Sequence, residues 1–175
     1  DRDIREGRWE KRMGAALHES TLGIIGVGNI GKEVARKARA FGMQLLGNDV
    51  VEMPSEFVAE MQINMMPLDE LLSQADYVTL NCTMSTTSYH IVDAAALKSM
   101  KPTAFLINTA RGGLIDEDAL VEALEMDRLA GAALDVFEDE PLAHNSRLRE
   151  LDNCLLAPHN SNSSPEAWQR VHRNT

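Results

Sequence analysis

The apolar run Thr21-Leu-Gly-Ile-Ile25 passes directly into Gly26-Val27-Gly28-Asn29-Ile30-Gly31, and Asp49 stands 18 residues beyond the last of these glycines. An apolar run bounded by glycine reads as a buried strand, and Ile30, Val34, Ala38 and Phe41 then recur at helical spacing. The glycines therefore fall where a strand turns into a helix, the context that separates this motif from a chance match. Gly26 permits the tight turn, Gly28 lets a pyrophosphate approach the backbone, and Gly31 lets the helix lie close to the sheet. Asn29 and Ile30 open that helix, whose N-terminal amides face the anion. A carboxylate at Asp49, after a second apolar stretch at 43–47, would accept the ribose hydroxyls of NAD and repel the additional phosphate of NADP. This part of the chain predicts a dinucleotide-binding unit with NAD as its cofactor.

A chain of 175 residues with 44% hydrophobic content is long enough for one globular domain with a sizeable core. The formal net charge of -10 argues against a nucleic-acid or anionic-membrane surface as partner. An anionic substrate would need a local cation. Cys82 and Cys154 are the only cysteines, with no CxxC pair and no metal-type cluster, so a reducing, cytoplasmic setting and no bound metal are expected. No signal peptide is read, and no apolar run reaches membrane-spanning length.

Along the chain, helices are expected at 55–62, 67–73, 93–100 and 116–126, and strands at 63–66, 76–82, 103–109, 131–137 and 154–157, with a polar loop at 83–89. Apolar strands alternating with helices give an α/β fold, a Rossmann-type doubly wound parallel sheet. Such sheets bind ligands outside the strand C-terminal ends. Arg111, Asp135, Glu140 and His159 each lie at, or a few residues past, such an end, and Gly28 and Asp49 share that edge. Topology alone then gathers residues that are far apart in sequence.

The glycine turn, Asn108-Thr-Ala-Arg-Gly-Gly113, Ala133-Leu-Asp-Val-Phe-Glu-Asp-Glu-Pro141 and Ala157-Pro-His159 resemble, in order and at matching spacing, the successive signatures of the D-2-hydroxyacid dehydrogenases. The resemblance runs from about Arg8 to the C-terminus. It implies an NAD-dependent oxidoreductase of phosphoglycerate or hydroxypyruvate type, acting on a small 2-hydroxy or 2-keto acid. Arg111, Glu140 and His159 would be its catalytic trio. Asp135 would help hold the nicotinamide, and Cys82, Thr109, Ala110 and the His159-Asn160 backbone would line the cofactor cleft. The chemistry suits these groups. Histidine can give and take the proton at a carbonyl oxygen near neutral pH, a carboxylate beside it fixes the ring, and arginine offers a planar fork to a substrate carboxylate.

Taken singly, the same residues carry plainer readings. Arg111 beside two glycines suits a solvated turn, Glu140 sits in an acidic run, Asp49 suits a turn cap, and Cys82 suits strand-end packing. His18, His90, His144 and His172 read as surface or structural. Two departures leave the substrate open: Asn81-Cys82-Thr83-Met84 stands where many relatives carry His-x-Pro-Leu, and Asn160-Ser-Asn-Ser163 replaces a Leu-Gly-Ala type run. A second reading is an NAD(H)-sensing, corepressor-like module on the same fold; a third is a formate dehydrogenase or adenosylhomocysteine hydrolase, the former disfavoured by Glu140 where it usually carries Gln. The opening segment and the amphipathic stretch from Pro165 both read as cut through connecting helices. Residues 1–175 are thus expected to be the cofactor domain of a normally two-domain enzyme, its substrate domain lying elsewhere. Such a piece would bind NAD yet turn over substrate poorly. The resemblance also implies a homodimer through this domain, to which Trp9 would contribute if it does not pack within the domain.

Overall fold

The computed structural model describes residues 2–10, 14–161 and 164. After a short helix α1 (Arg2–Arg5), strands and helices alternate: β1 (Thr21–Ile25), α2 (Asn29–Ala40), β2 (Gln44–Asn48), α3 (Ser55–Met61), β3 (Ile63–Met65), α4 (Leu68–Gln74), β4 (Tyr77–Leu80), α5 (Ala94–Ser99), β5 (Phe105–Asn108), α6 (Glu117–Glu125), β6 (Gly131–Leu134) and β7 (Cys154–Leu156). Single 3-10 turns occupy Leu17–Glu19, Gly112–Leu114 and Arg147–Glu150. The strands form one sheet in the order β3-β2-β1-β4-β5-β6-β7, and every neighbouring pair is parallel. Local chemistry starts the later helices: Asp93 accepts the N–H of Ala96 to cap α5, and Asp116 accepts that of Ala119 to cap α6.

The sheet is covered unevenly. Leu71, Leu72, Leu97, Leu120 and Leu124 from α4, α5 and α6 pack with Val78, Leu80 and Leu106 in a large core on one face. On the other face, Ala35, Ala38 and Phe57 from α2 and α3 cover Ile24, Leu45 and Ile63 of the β1–β3 half. The same face of β4–β7 carries Tyr77 stacked on Phe105, with ring centroids 5.5 Å apart. There Phe105 is 40% and Leu155 71% exposed.

Two expectations needed correction. Of the expected apolar face of α2, Ala38 is buried and Val34 packs partly against the core beside Gly31 and Ala35, whereas Ile30 and Phe41 are exposed. Gly31 sets this rotation: a Cβ there would stand 2.1 Å from the Gly26 carbonyl oxygen, so the helix meets the strand through small residues and turns Ile30 toward the strand ends. The strands expected at 76–82, 103–109 and 131–137 are also shorter, because pairing ends together at Ile25, Leu80, Asn108, Leu134 and Leu156. Beyond those residues the chain leaves the sheet to build loops. The amphipathic stretch from Pro165 lies outside the described residues. Trp9 is 83% exposed, so it does not pack within the domain.

Candidate active site

Strand β1 is where the sheet order reverses. The chain leaves it through α2 toward β2, while β4 returns to its other side. The crevice outside the strand C-terminal ends opens at that point. Gly26, at φ 87°, and Gly31 are demanded by the protein itself: a Cβ on Gly26 would stand 2.5 Å from the Cys82 nitrogen. Gly28 differs. Among the described residues, no atom beyond its own chain neighbours lies within 4 Å of the place its Cβ would take. The space is open, and it sits at the N-cap of a 12-residue helix whose leading N–H groups lack intrahelical acceptors. An anionic pyrophosphate fits that cradle.

Asp49 closes the end of β2. Its Oδ2 accepts the N–H of Val27 at 2.7 Å and its Oδ1 that of Val51 at 2.9 Å. It is therefore a turn cap, as the plainer reading had it. A carboxylate with about four acceptor positions keeps room for further donors. It also lines a cavity of about 690 Å³ with Val51, Met53, Val58 and Met65. On the far side of the glycine turn, a cleft of about 640 Å³ is lined by Ile30, Cys82, Met84, Thr109, Ala110, Arg111 and Ser161. Two cavities flanking one anion cradle suit an elongated dinucleotide. Burial, with the charge of Asp49 adding, pushes the Cys82 thiol up, so it stays protonated and acts as a packing group.

Asn108 shapes the turn that carries Arg111. This residue, 1% exposed, donates from Nδ2 to the Arg111 carbonyl at 2.9 Å and accepts the Ala110 N–H at 3.0 Å. Arg111 is exposed at the cleft, with one Nη1–H donated to the Ala110 carbonyl at 2.6 Å. His159 follows β7 in a left-handed backbone conformation, φ 52°, which costs a non-glycine residue about 1–3 kcal/mol and persists only where the surroundings impose it. What imposes it is Asp135. Its oxygens accept the N–H groups of Asn160 at 2.9 Å and Ser161 at 2.8 Å. Burial pushes the Asp135 carboxyl up, but these two donors, the Ser161 hydroxyl and the charge of His159 outweigh it and hold it below the usual carboxylate range. Asp135, expected against the nicotinamide, is thus 5% exposed with both oxygens turned to the loop of His159 and Asn160.

Glu140 Oε2 lies 2.7 Å from His159 Nδ1, while its Oε1 accepts the Phe137 N–H at 3.1 Å. The hydrogen bond with His159 holds the Glu140 carboxyl below its ordinary range against the cost of burial, and the charges of His159 and Arg111 add to it. An ionised Glu140 accepts, so Nδ1 carries the proton and Nε2 is the nitrogen left for other work. Arg111, Glu140 and His159 are therefore brought to one edge, as the spacing required. Sequence reasoning missed Asn108, whose signal was a polar residue closing an apolar strand. It also missed the contact of His90 with Glu138, whose partners are 48 residues apart and have no local signal.

Among the described residues no helix is long and apolar enough to cross a membrane. The family model for the NAD binding domain of D-isomer specific 2-hydroxyacid dehydrogenases matches residues 1–161. A glyoxylate reductase of Thermococcus onnurineus is 44% identical over 168 residues, which are 91% of this chain and 50% of that protein. A D-3-phosphoglycerate dehydrogenase of Synechocystis is 42% identical over 98% of this chain and 31% of its own length. The crystal structure of a D-lactate dehydrogenase from Aquifex aeolicus, complexed with NAD and lactic acid, superposes with a TM-score of 0.90 at 30% identity, over 99% of this chain and 57% of that one. The chain spans about half, or less, of the length of these relatives. On the match of its family model, its glycine turn and its seven-stranded parallel sheet, the chain belongs to the NAD-binding domain family of the D-isomer specific 2-hydroxyacid dehydrogenases.

Proposed function

We propose that this chain forms the cofactor half of an oxidoreductase that moves a hydride between NAD(H) and a small 2-hydroxy or 2-keto acid of phosphoglycerate or hydroxypyruvate type. The observation that carries this reading is the 2.7 Å contact of His159 Nδ1 with Glu140, on the same sheet edge as Arg111 and the Gly28 cradle. When bound, the nicotinamide supplies or accepts the hydride. His159 gives its Nε2 proton to the carbonyl oxygen, or takes it back in the oxidative direction, and Glu140 stabilises the imidazolium and fixes the ring. Arg111 binds the substrate carboxylate and polarises the keto oxygen through its free guanidinium edge. Gly26, Gly28, Asn29, Ile30 and Gly31 seat the pyrophosphate. Asp49 takes the ribose, and Cys82, Thr109, Ala110 and Asn160 line the nicotinamide end. Asp135 acts on that end through the loop it holds.

Arg111 and His159 stand exposed at the open edge, so this chain alone does not enclose a substrate from water. We therefore expect it to bind NAD and to turn over substrate poorly by itself. A homodimer through the face of β4–β7 that the described residues leave exposed is part of the proposal, supported by Phe105 and Leu155. So is a reducing, cytoplasmic setting, supported by the two free cysteines. No feature of the site favours a purely nucleotide-sensing role. His159→Ala in the intact dehydrogenase should cut kcat by about 10² to 10⁴ while leaving NAD affinity of the chain within about twofold. Unchanged turnover would sink the assignment.

A further inference from the structure

Beside the Glu140–His159 pair lies a second histidine–carboxylate pair for which the reaction just described has no task. His90 Nε2 is 2.6 Å from Glu138 Oε1, and Asp116 Oδ2 is 4.0 Å from its Nδ1. The ring stacks on Tyr89 with centroids 3.9 Å apart, and the side chain is only 26% exposed. The backbone of His90 is left-handed, φ 49°, and its N–H donates to the Gly113 carbonyl at 2.8 Å. Val92 extends the contact, donating to Leu114 at 3.0 Å and accepting from Asp116 at 3.1 Å. The segment 90–92 is thus zipped along 113–116, the stretch that follows Arg111.

Glu138 is tied in as firmly. Its Oε1 accepts the Glu117 N–H at 3.3 Å, and its own N–H donates to Glu117 Oε1. Gly112 lies so close beneath that a Cβ there would stand 1.9 Å from the Phe137 carbonyl carbon. Loops from the ends of β4, β5 and β6 therefore meet at one imidazole. Without it, Glu138 would face the like charge of Glu117.

We propose that His90 is a positioning residue for the acid–base pair. By gripping Glu138 it fixes the turn from which Glu140, two residues further on, reaches His159, and it keeps that turn in register with Arg111. The inference rests on the assignment of Glu140 and His159 made above. A charge-assisted hydrogen bond suits the task, being short and directional, and stacking on Tyr89 fixes the plane from which it is made.

The tautomer of His159 tests this directly, because pairing with Glu140 places the neutral ring's proton on Nδ1, whereas free histidine favours Nε2. Two-bond proton–nitrogen NMR spectra of the labelled chain, recorded above the imidazole titration, should show the Nδ1–H form. His90→Ala should reduce the ratio of Nδ1–H to Nε2–H at His159 by about fivefold or more, with NAD affinity unchanged within about twofold. His90→Gln, which retains a donor toward Glu138, should restore most of the ratio. Glu138→Gln approaches the pair from its other side, guards against misfolding of the alanine variant, and is expected to lower the ratio as well. An unchanged ratio in His90→Ala, or equal loss in the alanine and glutamine variants of His90, would overturn the proposal. The Nε2–H form in the unaltered chain would instead overturn the Glu140–His159 pair itself, and this proposal with it.

Discussion

On the β1–β2 side of the crevice the geometry is set by glycine and main chain, whereas on the β5–β7 side it is set by carboxylates reaching across loops. Gly26 and Gly31 let backbones touch, and their positions need no charge. Asp135, Glu138 and Glu140 instead hold Asn160 and Ser161, His90, and His159, each through a side-chain carboxyl oxygen. Apart from the Asp49 cap on Val27, the first construction answers to sterics. The second answers to pH and to the loss of single partners. A site proposed to bind a cofactor rigidly and to handle protons adjustably has reason to use both.

The largest effect should follow from forcing a side chain where the two constructions meet. Gly112→Ala places a Cβ 1.9 Å from Phe137 main chain, a clash that rotamer changes cannot relieve. It should cost about 3 kcal/mol or more in urea unfolding, above the usual range for overpacking. Gly28→Ala is its counterpart. With no atom beyond its chain neighbours within 4 Å among the described residues, it should leave the unfolding midpoint almost unmoved and weaken NAD binding by about tenfold or more. Strong NAD binding by Gly28→Ala would mean that the open space there is not the pyrophosphate seat.

Acid should separate the two sides next. Asp135 and Glu140 have carboxyls held below their ordinary range in the fold, so their contribution is complete above about pH 5 and is lost as pH falls through the lower folded values. Glu117, raised by burial despite the Glu138 N–H and further by the charges of Glu138, Asp139 and Asp118, runs the other way: its contribution is lost as pH rises through its raised value. Hydrogen exchange at Asn160 and Ser161 should therefore accelerate in acid before exchange in β1 and α2 does. Simultaneous loss of protection on both sides would erase the contrast. The smallest effect is expected at Asp49→Asn, which keeps an acceptor for Val27 or Val51 but removes a charge. Calorimetric titration should show the preference for NAD over NADP falling by about two- to fivefold, the scale of an exposed charge interaction.

The same contrast decided how much could be read from the sequence. The glycine turn is contiguous, its strand and helix have clear periods, and its ligand class followed at once. That Arg111, Glu140 and His159 share one edge was legible because each residue follows a strand, and a parallel sheet delivers every strand end to one edge. What escaped was contact between loops. Helical spacing put Ile30 on the buried side of α2, but the approach of Gly31 to Gly26 turned the helix. The grip of Asp135 on Asn160 and Ser161 spans 25 and 26 positions and has no period. His90 read as surface or structural, and its partner Glu138 was not legible for the same reason.

The strand order also bears on how the chain is made. Synthesis proceeds from the N-terminus, and in this sheet each strand pairs with one already synthesised: β2 and β4 with β1, β3 with β2, then β5, β6 and β7 each with its predecessor. The sheet can grow outward from β1 on a ribosome without any strand waiting for a later partner, which limits the time that apolar edges stand bare. The nucleotide cradle closes once Cys82 has arrived behind Gly26. The residues proposed for proton transfer emerge after β6, when most of the platform is already built.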